Sequence, residues 1–241
     1  MRTFWGLSAL DLIALAYFFV LWLGYAPFLR WQGSRFGAVS GAMVQHRRAW
    51  MYAVIGREMR VSDTAIMGHI MSTAGFFAST TVIVIGALLG TLINLERAVA
   101  QAAQDWFMIA PRDPLEIKLA LILVVTVYAF LNFTWSIRQA NFAAVMIGAA
   151  PSPPVAQKIR ERLAASMGDI ITQVAASYDN GVRSYYFALG AVTWIASPIL
   201  FLLASTGMVV LLLRRQSTSG TARALEELAL ARTDGKKSRK K

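Results

Sequence analysis

Residues 67–94 read MGHIMSTAGFFASTTVIVIGALLGTLIN, and this stretch decides the fold. About 20 apolar residues are enough to carry a helix across a bilayer, and this run is longer than that. Its one ionisable residue is His69, close to the entrance. Small residues recur along it: Gly68, Ser72, Gly75, Ser79, Gly86 and Gly90 stand three, four or seven apart, with Val82 the one interruption. Positions three and four apart are neighbours on a helix. Lipid supplies little hydrophobic force between helices, so close backbone approach along small residues is what joins them. The stretch reads as a membrane-spanning helix with that line as its helix-packing face.

Composition agrees. Hydrophobic residues make up 56% of the 241 and charged residues 15%, against about 25% charged in an ordinary soluble domain. There is no cysteine, which excludes disulfides, thiolate metal sites and cysteine nucleophiles. The net charge is +11. Its basic residues lie beside the apolar runs and in the tail, where anionic lipid headgroups are the simplest partner. No nucleic-acid recognition fold accompanies the charge, so nucleic acid is not expected as a partner.

Outward from the central helix, Ser8 to Leu29 is a first span, too long for the apolar core of a signal peptide and followed by no A-x-A-like site. Asp11 sits one turn inside it, either as a first-turn acid favoured by the helix dipole or as a buried polar partner. Residues 40–59 place Met43, Val44, Trp50, Met51, Val54 and Ile55 at helical spacing among Arg47, Arg48 and Arg57, the pattern of a helix lying in the membrane interface. Leu115 to Ile137 is a third span, with a helical pattern that continues to Ile147. Residues 155–176 are again amphipathic and interrupted by charge, so they belong beside the membrane. Asn180-Gly181 signals a turn. Ser184 to Leu213 is a fourth span, with Pro198 as a kink. The expected fold is an all-α polytopic membrane bundle. It has four transmembrane helices near 8–29, 65–93, 115–137 and 185–213, and two interfacial amphipathic helices near 40–59 and 155–176. Residues 1–213 form this domain, and 214–241 a basic, mostly disordered tail ending KKSRKK.

Four spans put both termini on one side, and the positive-inside rule then gives no answer. The N-terminus, middle connection and tail hold 13 Lys and Arg, against 11 in the first and third connections. Orientation stays open.

Three segments carry a resemblance: HRRAWMYAVIGREMRVSD running into IMGHIMSTAGFFASTT, SIRQANFAAVMIGAAP, and NGVRSYYFALGAVTWIASPILF. In this order they resemble the membrane family called domain of unknown function 599, over roughly Leu7 to Leu213. The resemblance implies a multi-pass protein, expected in a bacterial plasma (inner) membrane. Its motif positions correspond to Arg48, Trp50, Ser79, Thr80, Thr81, Arg138, Arg183, Tyr186, Trp194 and Pro198. It carries no catalytic role.

The residues do not supply one either. There is no HExxH, Walker loop or GxSxG, and His46 and His69 are the only histidines, so no enzyme, metal or cofactor is expected. Ser79-Thr80-Thr81 reads as helix hydroxyls bonding the preceding turn. The remaining constellation is cationic. In the four-span arrangement His69, Arg138 and Arg183 fall at span ends on the face that also carries Arg48. Guanidinium groups pair with phosphate and carboxylate, so Arg48, Arg138, Arg183 and His69 are the candidate anion or lipid-headgroup residues. Arg138 follows a polar run and is expected to be held by Asp63, Asp169, Asp179 or a bound anion. Two functions stay open: a membrane scaffold or accessory subunit with a cationic headgroup-binding face, and a small transporter or channel for an anionic or lipid-like substrate. A homo-oligomer or a membrane-protein partner is the further candidate association. A transporter predicts a polar cavity lined by Tyr128, Asn132 and His69.

Overall fold

The computed structural model describes residues 6–31, 34–97 and 112–217, all helix and short connections among those residues. In chain order the elements are α1 (Ala9–Trp31), α2 (Ser34–Ile55), α3 (Val61–Ile93), α4 (Arg112–Ala149), α5 (Gln157–Val192), a 3-10 turn (Thr193–Ile195) and α6 (Pro198–Ser217). Among the described residues three helices are long and apolar enough to cross a membrane, Val61–Ile93, Pro114–Ala149 and Pro198–Arg215, and Ala9–Tyr25 is a shorter apolar helix. The tail expected from 214, with its KKSRKK end, lies outside the described residues beyond Ser217.

The chain divides into two compact units: Met1–Phe28, Phe76–Phe133 and Asp179–Leu211 in the first, Leu29–Gly75, Thr134–Tyr178 and Leu212–Lys241 in the second.

The first unit is built around buried aromatic rings. Phe18, Phe133, Phe187, Trp194 and Phe201 are fully buried. Phe18 meets Phe187 at 5.6 Å and Phe201 at 5.1 Å between ring centroids. Such pairs add about 0.5–1.5 kcal/mol each beyond area burial. The pairing pattern fixes helix directions. Trp194 to Asp11 and Trp22 to Ser184 run in opposite order along α1 and α5, so the two are antiparallel. Phe77 meets Phe133 and Tyr185, and Arg60, just before α3, bonds carbonyls at the end of α4, so α3 is antiparallel to α4. Lys118 near Trp194 and Phe133 on Gly181 make α4 antiparallel to α5.

One expected span is corrected here. The span at 185–213, kinked at Pro198, is broken and turned back. A Cβ on Gly190 would sit 3.7 Å from Met208 and 4.0 Å from Ala204. Along one continuous helix the 14 residues from Gly190 to Ala204 would span about 21 Å. The end of α5 and α6 are therefore an antiparallel pair. Pro198 is the first residue of α6, where its missing N–H costs nothing. Ser197 caps that end, its Oγ accepting from the Ile199 N–H at 3.2 Å.

The second unit has an aliphatic core. Met51, Val54 and Ile55 of α2 pack with Met67 of α3, Ala140, Ala143 and Ile147 of α4, and Ala164, Met167, Ile171 and Val174 of α5. The apolar faces of the two amphipathic segments meet each other and the facing parts of α3 and α4. Periodicity shows which face is apolar, and lipid and protein satisfy such a face equally. Where α5 was expected to begin a new helix after Asn180-Gly181, it runs on without a turn. Within the first unit, a Cβ on Gly181 would lie 2.7 Å from the Phe133 ring, so this glycine is there for close packing.

Candidate functional site

The basic motif HRRAWMYAVIGREMRVSD folds into a clasp inside the second unit. Asp63, only 1% exposed, opens α3. Its carboxylate accepts from Trp50 Nε1 at 2.7 Å and from Arg57 Nη1 at 2.9 and 3.1 Å. Arg60 turns the other way. Its guanidinium donates to the carbonyls of Val54, Ile147, Ala150 and Pro151, with the closest at 2.6 Å. The last carbonyls of a helix lack intrahelical donors, and a cation there also meets the negative end of the dipole. Arg160 does the same for α2, donating Nε to Tyr52 O at 2.9 Å with its guanidinium over the Tyr52 ring. Gly56 leaves room for it, since a Cβ there would collide with the Arg160 guanidinium.

Arg48 sits on the same helix. It donates Nε and Nη2 to Asp169 Oδ1 at 3.0 and 2.8 Å, with both side chains about half exposed. Gly168 makes the approach possible: a Cβ there would lie 2.7 Å from the Arg48 Cα and 2.9 Å from its N.

Arg138 is different. Asp63 and Asp169, two of its three expected partners, hold Arg57 and Arg48 instead, and Arg138 pairs with no acid among the described residues of this unit. It is exposed. Its guanidinium carbon lies 5.8 Å from the ring centroids of Trp135 and Phe142, three residues before and four after it on α4. Both rings are 51% exposed, so a cation flanked by aromatic faces stands on the outside of the helix. Below it on the inward side, Ser136 bonds Val174 O at 2.9 Å. His69 is exposed on α3, its carbonyl accepting from Thr73. Among the described contacts of this unit none joins His69, Arg48 and Arg138: Arg48 is held by Asp169, Arg138 lies between Trp135 and Phe142, and His69 stands exposed.

In the first unit Arg183 is built into the bundle. It lies 5.4 Å from the Tyr25 ring centroid and donates Nη2 to Asn180 Oδ1 at 2.8 Å. Toward the other end of these helices, Ser8 and Asp11 form a capping box. The Ser8 N–H donates to Asp11 Oδ2 at 3.0 Å, and the Asp11 N–H to Ser8 Oγ at 3.2 Å. Asp11 Oδ1 accepts from the fully buried Trp194 Nε1 at 2.8 Å, and Lys118 Nζ lies 5.7 Å from the same ring. Asp11 is therefore both a first-turn acid and a buried partner. The S-x-x-D spacing was the available signal for the cap; nothing local pointed to Trp194, 183 residues away.

Tyr128 packs its ring edge-on against Trp22 at 5.3 Å, and Asn132 Nδ2 bonds Tyr128 O at 2.8 Å. The hydroxyls of Thr80 and Thr81 bond carbonyls of their own helix, Phe76 O and Phe77 O. On α3 the buried line is Ala74 in the second unit and Ala78 and Thr81 in the first. The packing residues named from sequence lie one residue further on, about 100° around the helix. Gly68, Gly75, Gly86 and Gly90 have no described atom within 4 Å of an added Cβ, and Ser72 and Ser79 are exposed.

Three helices among the described residues, long and apolar enough to cross a membrane, are those of a helical membrane protein. The chain belongs to the family described as "Protein of unknown function, DUF599", whose model matches residues 13–221. No curated protein and no solved structure matches it.

Proposed function

We propose that this protein is a non-enzymatic membrane scaffold or accessory subunit of the bacterial plasma membrane, with a cationic face for lipid headgroups. The observation that carries this reading is Arg138, exposed between the Trp135 and Phe142 rings and paired with no acid among the described residues of its unit. A tryptophan such as Trp135 favours the membrane–water boundary. A guanidinium held there presents its donors to phosphate oxygens. The scaffold reading over transport is supported by the polar groups expected to line a pathway. Tyr128 packs on Trp22, Asn132 is bonded within its own helix, and the rings of the first unit fill its interior.

The test is lipid retention. The protein is reconstituted in nanodiscs of mixed zwitterionic and anionic phospholipid, and the lipid that survives detergent washing is counted by native mass spectrometry. The expected result is several-fold less retained phosphatidylglycerol for Arg138→Gln, partial retention for Arg138→Lys, and no change for Arg35→Lys. Equal retention by Arg138→Gln and the parent would remove the headgroup site. Anion flux through proteoliposomes above the empty-vesicle rate would favour the transporter.

A further inference from the structure

The reversal at Thr193–Ser197 changes how many times the chain crosses the membrane. Five helical segments make up the first unit: α1, the end of α3, the start of α4, the end of α5, and α6. Their contacts give each a direction. α5 is antiparallel to α1 through Trp194 with Asp11 and Trp22 with Ser184. It is antiparallel to α4 through Lys118 with Trp194 and Gly181 with Phe133, and to α6 through Gly190 with Ala204 and Met208. α3 is antiparallel to α4, because Arg60, just before α3, bonds the Ile147 and Ala150 carbonyls at the end of α4 while Phe77, further along α3, meets Phe133, further back on α4. So α1, α4 and α6 point one way, and α3 and α5 the other. The stretch of α5 with its turn, residues 179–196, is about 27 Å long at 1.5 Å per residue, close to the roughly 30 Å apolar core of a bilayer.

An odd number of crossings removes the conflict in the charge distribution. With five, the connection after α1, the connection after α4 and the tail after α6 all emerge on one side. Residues 29–75, 134–183 and 212–241 hold 20 of the 24 Lys and Arg. Arg2, Arg97, Arg112 and Lys118 alone remain for the other side. Arg214 and Arg215 directly follow the apolar part of α6, within the distance at which basic residues set orientation. Four crossings split the same residues almost evenly; five segregate them.

We infer that the chain crosses the membrane five times, with the Ser8 end of α1 outside and the basic segments and tail in the cytoplasm, where they face the anionic lipid of the inner leaflet. Clusters of Lys and Arg at that surface are attracted by about 1 kcal/mol each. The choice of leaflet rests on the headgroup reading above, whereas the number of crossings does not.

The absence of cysteine makes single-cysteine labelling clean. Gln104→Cys, Ala196→Cys, Ser152→Cys and Ser219→Cys are treated on intact cells with a membrane-impermeant maleimide, with and without permeabilisation. A green fluorescent protein fused after Lys241 gives a second readout on an otherwise unaltered chain. Expected are labelling of Gln104→Cys and Ala196→Cys from outside, labelling of Ser152→Cys and Ser219→Cys only after permeabilisation, and a fluorescent fusion. Ser219→Cys labelling together with Gln104→Cys, with Ala196→Cys silent, would restore four crossings and overturn the inference. Ser152→Cys and Ser219→Cys labelling from outside, with a dark fusion, would overturn the orientation and its leaflet. Equal lipid retention by Arg138→Gln and the parent, with this labelling map intact, would sink the headgroup reading alone.

Discussion

Gly168→Ala and Gly75→Ala are the same chemical change in two helices, and the structure separates their outcomes. Each gains roughly 1 kcal/mol of intrinsic helix propensity, so the propensity contribution cancels when one variant is compared with the other. What remains is packing. At Gly168 the new methyl would stand 2.6 Å from Arg48 Cγ, 2.7 Å from its Cα and 2.9 Å from its N. Two of those atoms are backbone, which no rotamer change can move, so α2 and α5 must separate. Overpacking of this kind costs about 1–3 kcal/mol. At Gly75 nothing described lies within 4 Å, and the methyl enters open space. Gly168→Ala should therefore melt below Gly75→Ala by about 1–3 kcal/mol. For a chain of this size that is roughly 2–12 °C, at 2–4 °C per kcal/mol. Thermal unfolding in one detergent, followed by tryptophan fluorescence, measures the difference directly. Gly168→Ala melting level with or above Gly75→Ala would refute the close α2–α5 approach. Gly75→Ala melting well below the parent would mean that the glycine line packs against another molecule.

Asp63→Asn should lower stability by about 1–3 kcal/mol, because a buried acceptor for Trp50 and Arg57 is weakened; a melting point equal to the parent's would show the clasp to be ornamental. Trp194→Phe keeps the ring stack on Phe201, at 5.0 Å, but strands Asp11 Oδ1, so a loss of similar size is expected; an unchanged melt would place the carboxylate in solvent. Arg60→Lys should destabilise more than Arg48→Lys, since one ammonium cannot reach the four carbonyls that the Arg60 guanidinium serves; the reverse order in the same melts would contradict the assignment. Arg138→Lys should melt like the parent, because its ring contacts and outward charge survive; a clear drop would mean a hidden acidic partner.

Much of this fold was legible in the sequence where one physical pattern had one meaning. The apolar run at 67–94 could only be a long buried or membrane helix, and α3 covers Val61–Ile93. The continuation of α4 past Arg138 followed from its periodicity and is real to Ala149. Readings failed where a residue type serves two purposes. Proline in an apolar run is a kink or a helix start; the Ser197 cap beside Pro198 was the clue that favoured a start. Glycine after asparagine is a turn or a contact, and Gly181 is a contact because Phe133 lies on it. Arginine beside a membrane helix is a headgroup ligand or a helix cap. Arg60 and Arg160 are caps, and their carbonyl partners lie 87–91 and 108 residues away for the long-range bonds. No local window contains that information. The small-residue line of α3 was found one position off the face that is buried, since Ala74 and Ala78 are as small as their neighbours Gly75 and Ser79.

The pairing of α5 with α6 is tested most directly by a disulfide between Gly190→Cys and Met208→Cys in the otherwise cysteine-free chain. The Gly190 Cβ position lies 3.7 Å from Met208 Cγ, so mild oxidation should close an intramolecular bond that shifts the band on a non-reducing gel. On one continuous helix the 18 residues between them would span about 27 Å. Rapid cross-linking within one chain is the expected result, and no cross-link, with both cysteines reactive toward maleimide in the folded protein, would contradict it.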